Sequence, residues 1–222
     1  MSERASKRLA ASVFEAGDEA SPAAPRDGEA DRVALLSLAR LAASDADAMA
    51  ELLLEVAPAV VRAVRVVLGP RAVDLEDVKQ QALLNVMRAV PAFRGECHPA
   101  GFASRIAVRT ALTARRRARG ERLVFFDALD ISELAPPGPR RTDAELGLYR
   151  RHFVRDLLLR LPEEQAEVVA LHVILGHSLP EIAAATATPL ATVKSRLRLA
   201  KEFLRKVLDD GLDESAPVRG RS

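Results

Sequence analysis

The chain has 222 residues, room for one or two domains, and 49% hydrophobic content supplies a core, yet aromatics are only 4% and Trp is absent. Leu, Ala and Val must fill that core, which favours packed helices. Net charge is only +2, with a pI near 9.0, so the location of charge says more than its sum. The single cysteine excludes an intramolecular disulfide and a cysteine-rich zinc site.

In chain order, residues 1–30 are rich in Ala, Ser, Pro, Gly and acids without sustained periodicity, which predicts a disordered leader. Its apolar run from Leu9 to Phe14 ends at Glu15 and is too short for a signal peptide. Leu35, Leu36, Leu38, Ala39 and Leu41 predict a short helix. Ser44 with Asp47 marks the next start, and Pro58 predicts a break before PAVVRAVRVVLG. Arg62 and Arg65 interrupt the best apolar run, so no stable membrane insertion is expected, and the chain reads as soluble and cytoplasmic.

Asp74 opens DLEDVKQQALLNVMRAV, in which Leu75, Val78, Ala82, Val86 and Val90 form a buried side. Asp77, Gln80, Gln81, Asn85 and Arg88 form the polar side. Pro91 ends the helix, and the loop from Phe93 to His98 follows. Cys97-His98, adjacent in that loop, is not expected to hold a metal. A long helix is predicted over residues 99–119. Residues 94–122 carry eight arginines against Glu96 and Glu121. Rings at Phe93 and Phe102 beside this charge resemble a single-strand surface, where rings stack bases and arginines hold phosphates. Residues 120–142 turn apolar, then acidic, then Pro-rich, which predicts a linker. The apolar residues Val124, Phe125, Phe126, Leu129 and Ile131 within it are expected to dock on a domain, on a partner or in a channel.

A helix over residues 143–161 is expected to begin a second domain that ends near 210, leaving a polar tail. Pro162, Glu163 and Glu164 suit a first helical turn, and Gly176 suits a stop. Ser178 and Glu181 form a capping-box pattern before a short helix. Thr188 and Pro189 suit the start of a third. Val193, Leu197, Ala200 and Leu204 give that helix an apolar stripe. Residues 189–206 hold six Lys/Arg against Glu202 alone. Two helices joined by a tight turn, the second basic, describe a helix-turn-helix. Thr192, Lys194, Ser195, Arg196 and Arg198 are the candidates to enter a major groove, with hydroxyls for phosphates and arginines for guanine edges.

These blocks, in this order, resemble an extracytoplasmic-function sigma factor of bacterial RNA polymerase. DLEDVKQQALLNVMRAVPAFRGE and GFASRIAVRTALTARRRAR are similar to region two, and LPEEQAEVVALHVILGHSLPEIAAATATPLATVKSRLRLAKEFLRKVL to region four. The resemblance implies an all-α chain of two helical domains joined by a flexible linker. Region two would occupy residues 31–119 and region four residues 143–210. It implies core RNA polymerase (β′ clamp and β flap), promoter DNA and an anti-sigma factor as partners, and no cofactor. By position, Asp77, Gln80, Gln81 and Asn85 match the polymerase contact. Phe93, Arg94, Phe102, Arg105, Arg109, Arg115, Arg116 and Arg117 match minus-ten binding. Thr192, Lys194, Ser195, Arg196 and Arg198 match minus-thirty-five reading.

The chain departs from the family pattern at several positions. Gln81 replaces an acid, Met87 and Phe102 stand where Trp is common, and Arg109 and Thr113 replace Asn and Asp. Thr186-Ala187 stands where Leu-Gly is usual. Few rings near the minus-ten residues imply weak promoter melting. His172 and His177 lack plausible catalytic partners, so no enzyme is expected. The alternatives are a helix-turn-helix regulator that does not support initiation, and an interaction protein with basic faces for acidic partners.

Overall fold

The structure, a computed structural model, describes residues 29–70, 72–125 and 155–213. Most of the expected leader, the expected linker from residue 126 and the end of the tail lie outside them. Among the described residues there are helices and no strand. The first block comprises α1 (Glu29–Leu41), α2 (Ala46–Leu68), α3 (Leu75–Ala89) and α4 (Pro99–Phe125), with a 3₁₀ turn at Val90–Ala92 after α3. The second comprises helical residues 155–160, then α5 (Glu163–Val169), α6 (Leu179–Thr186) and α7 (Leu190–Asp213).

The first core forms on α2, whose Leu52, Val56, Val60, Val64 and Val67 recur at helical spacing and are buried. Fully burying one such side chain contributes roughly 1.5–3 kcal/mol. Helix α4 packs most extensively against α2. It buries Ala103, Ala107 and Ala111, small residues four apart that allow close approach. Asp45, not Ser44, caps α2 by accepting the Asp47 amide at 2.9 Å.

Pro58 does not break α2, contrary to expectation. A proline leaves the carbonyl four residues earlier without its donor. Here that is the carbonyl of Leu54, a residue 75% exposed, where water can serve it. The buried valine stripe on the other side holds the axis. Helix α4 likewise continues past Arg119 to Phe125. One glycine, Gly120, costs about 1 kcal/mol in a helix and is too little to end it.

In the second block α5 passes into a π turn at Ala170–Ile174. Gly176, at φ 83°, then closes the end, with the His177 amide donating to the Leu171 carbonyl at 2.9 Å. Both halves of the Ser178–Glu181 capping box form. Thr188, expected as a cap, instead donates its hydroxyl to the Thr186 carbonyl at 3.1 Å, and the Pro189 carbonyl accepts the first amides of α7. The turn between α6 and α7 depends on Ala187, which is left-handed at φ 48°. A side chain there costs about 1–2 kcal/mol, which glycine avoids at some cost in entropy. Ala187→Gly should therefore raise stability by up to about 1 kcal/mol, read as a higher urea midpoint at unchanged slope. A lower midpoint would mean that the turn is not left-handed in solution.

Candidate nucleic-acid interface

Three surfaces carry the candidate residues. On α3, Asp77, Gln80 and Gln81 are exposed. Asn85 is half-buried, donates its amide to the Thr110 hydroxyl at 3.0 Å and accepts from Gln81 at 2.9 Å. Asn85 thus fixes α3 against α4 and orients Gln81 rather than offering a free group. Beside them Leu84 and Met87 are exposed apolar side chains. Reading this face as a polar stripe missed them. The signal was present: they fall at 84 and 87, between the turns of Gln80–Gln81 and Arg88 and off the Val78–Ala82–Val86 line.

The second surface is α7. Thr192, Lys194, Ser195 and Arg198 are exposed along its first turns, while Val193, Leu197, Ala200 and Leu204 are buried beneath. Arg198 pairs with Glu202 on its own helix at 2.7 Å. Arg196 is half-buried and lies 3.9 Å from Glu164. The expected groove-reading set therefore lies together on one helix, with Arg196 leaning back toward α5.

The third surface is α4 with the loop before it. The rings of Phe93 and Phe102 stand 4.8 Å apart, tilted at 44°. The His98 carbonyl accepts the Phe102 amide at 3.0 Å, and its ring Nδ1 accepts the Ala100 amide at 3.2 Å, so the loop is fastened to the start of α4. Arg94 and Arg117 are exposed. The other four arginines of the expected set face the second block. Arg105 meets Glu167 at 3.2 Å, and Arg109 and Arg116 each meet Glu163 at 3.4 Å. Arg115 meets Asp156 at 2.6 Å.

Guanidinium groups also serve exposed helix ends along this seam. Arg155 donates to the Val66 carbonyl at 2.8 Å, Arg115 to that of Val67 at 2.8 Å, and Arg116 to that of Leu161 at 3.0 Å. Arg62 donates to the Leu175 carbonyl. The last carbonyls of a helix have no internal partner, and cations favour the negative end of its dipole. Gly69, at φ 99°, ends α2 here; a Cβ on it would stand 3.1 Å from Arg155 Nη1.

Burial sets the electrostatics. It pushes the Arg115 guanidinium down from its usual value, opposed by Asp156 and reinforced by Arg155. It also lowers His177, with Glu181 opposing and Arg62 and His98 adding to the effect. Among the described residues no cluster of His, Cys, Asp or Glu could hold a metal ion, and no helix is long and apolar enough to cross a membrane.

An all-α chain with a four-helix block ahead of a helix-turn-helix, each presenting a basic helix, defines a DNA-binding transcription protein. Residues 52–121 match the model of Sigma-70 region 2, and residues 154–204 that of Sigma-70, region 4. The ECF RNA polymerase sigma factor SigD of Mycobacterium tuberculosis is 30% identical over 192 residues, covering 84% of this chain and 88% of that one. The ECF RNA polymerase sigma-E factor of Escherichia coli K12 is 32% identical over 141 residues, covering 59% and 72%. Among solved structures, CnrH in complex with the cytosolic domain of CnrY aligns at a TM-score of 0.48 and 24% identity, over 82% of this chain and 99% of that one. The chain belongs to the extracytoplasmic-function sigma-factor family and directs RNA polymerase to promoters. The alternative of a helix-turn-helix regulator that does not itself support initiation is not favoured.

Glu167 supplies a test of the seam. Burial raises its carboxyl above the ordinary range, while Arg105 and then Arg109 pull it down and Glu163 adds to the rise. With the folded value the higher, its contribution is present below the ordinary value of 4.5 and is lost as pH rises through the raised one. The Tm of the native chain minus that of Glu167→Gln should therefore grow as pH falls from neutral toward 4.5. A difference independent of pH would mean that Glu167 is solvated.

Proposed function

We propose that this sigma factor engages core RNA polymerase through α3, receives the minus-ten strand on α4 and its preceding loop, and reads the minus-thirty-five element with α7. The observation that supports this reading is that the three candidate sets lie on three separate helices, α3 and α4 within the region 2 match and α7 within the region 4 match. The polymerase contact combines Asp77, Gln80 and Gln81 with exposed Leu84 and Met87. Apolar anchors ringed by polar groups are the usual energetic centre of an interface. Thr192, Lys194, Ser195, Arg196 and Arg198 face the major groove, and Arg94, Arg105, Arg109 and Arg115 to Arg117 hold phosphates of the opened strand. Phe93 and Phe102, whose rings stand 4.8 Å apart, offer the stacking surface for unpaired bases. With only that pair of rings, melting is weak and promoter choice stringent.

The protein works in the cytoplasm, where polymerase and promoters are. An anti-sigma factor restrains it by covering exposed apolar groups such as Leu84 and Met87 on α3 and Leu199 and Phe203 on α7.

Reconstitution with purified core polymerase tests the reading. Added protein should give promoter-specific run-off transcripts. Asp77→Lys combined with Leu84→Ser should weaken core binding by about 2 kcal/mol or more, with Tm nearly unchanged because both sites are exposed. Core binding equal to the native chain's would remove α3 from the interface. In DNA binding, Arg198→Ala should cost about 1–3 kcal/mol and relax one base position. Unchanged sequence preference would take Arg198 out of base reading.

A further inference from the structure

The loop that carries Phe93 and Arg94 is flanked by a helix from the start of the first block. Gly95 takes φ 75°, a left-handed conformation that glycine adopts without a Cβ penalty. It lies alongside α1: a Cβ built on it would stand 3.7 Å from Leu36 Cδ2 and 3.9 Å from Arg40 Nη2. Leu36 is half-buried there, while Arg40, in the last turn of α1, is exposed. Arg40 and Arg94 thus meet the same loop from elements distant in sequence. Arg94 is itself 84% exposed and reaches Glu96 only at 4.0 Å. Among the described residues no carboxylate pairs with Arg40.

We propose that Arg40 is a further nucleic-acid-binding residue: it holds one backbone phosphate of the opened minus-ten strand where that strand crosses the loop from Phe93 to His98. The inference rests on the assignment of this loop and α4 to the minus-ten strand. The chemistry of the ligand follows from the groups gathered here. Phe93 and Phe102, with ring centroids 4.8 Å apart, offer flat apolar surface to an unpaired base. Each such base brings a phosphate on either side of its sugar, and Arg94 answers one of them. Arg40 supplies a second guanidinium beside Gly95. Its fork of N–H groups matches two phosphate oxygens, and binding a strand phosphate there also releases a counterion. The absence of a side chain at Gly95 keeps that fork uncrowded. Arg40 also suits the negative end of the α1 dipole, a role that any cation fills. Phosphate holding is the role that depends on a particular linkage of the strand.

The test uses the full chain with core polymerase on a promoter that gives run-off transcripts, and reads the half-life of open complexes under heparin challenge. A single methylphosphonate linkage, which removes one backbone charge, is moved along the non-template strand of the minus-ten element. With the native chain, one linkage should shorten the half-life about tenfold, the size of one charge-assisted contact. Arg40→Ala should shorten it as much on unmodified DNA, and that same linkage should then have no further effect. Arg40→Lys, which keeps the charge but not the fork, should recover part of the half-life and the sensitivity to that linkage. Because Arg40 is exposed, Tm and core binding should stay those of the native chain. Equal half-lives for Arg40→Ala and the native chain would overturn the proposal. So would a variant that senses every linkage the native chain senses. A lower Tm with unchanged open complexes would also overturn it, leaving Arg40 as the cation at the end of α1. Failure of the underlying assignment is seen separately, as Arg94→Ala and Arg117→Ala having no effect on opening.

Discussion

Guanidinium groups meeting carboxylates and helix-end carbonyls between two helical blocks are the constraint on which this structure depends. Each block has its own buried stripe, the valines of α2 and the Val193, Leu197, Ala200 and Leu204 line of α7, and each has a local reason to fold. The two lines belong to one continuous buried core, and polar groups at its edge fix how the blocks meet. Arg62, Arg116 and Arg155 supply donors to carbonyls that a helix end leaves unserved, and Asp156, Glu163 and Glu167 supply countercharge. Partly exposed charge pairs contribute little individually, typically about 0–1 kcal/mol. A seam made of them aligns the blocks around that shared apolar core.

The two surfaces proposed to read DNA sit differently against that seam. The exposed first turns of α7 carry their hydroxyls and cations away from the seam, apart from Arg196 near Glu164. The arginines of α4 face into it. The two surfaces are thus unequally available in the free chain, although both are basic and both lie on helices.

Much of this was legible in the sequence, because helices announce their own ends and faces. Gly176, the Ser178–Glu181 pair and the Asp74 start all act within a turn or two, and so could be read without tertiary information. Pro58 misled because the outcome turned on exposure of the Leu54 carbonyl, which depends on packing elsewhere. Thr188 misled because α7 starts one residue later, where the Pro189 carbonyl accepts the Thr192 and Val193 amides. Asn85 lies on the polar side of α3, yet Thr110, twenty-five residues on, takes its amide, a contact that only the tertiary structure reveals. The seam was least visible of all. Glu167 looks like one polar residue in an apolar helix until its four-residue offset from Glu163 is set beside that of Arg105 and Arg109. The expected linker from residue 126, and with it Phe126, Leu129 and Ile131, lies outside the described residues.

Pulsed electron spin resonance across the seam tests the central claim most directly. With Cys97→Ser, spin labels at Glu55→Cys on α2 and Lys206→Cys on α7 report the separation of exposed sites in opposite blocks. The free chain should give one narrow distance, and the complex with core polymerase and promoter DNA a different one. A broad distribution in the free chain, or the same distance in both, would contradict a closed state held by the arginine seam.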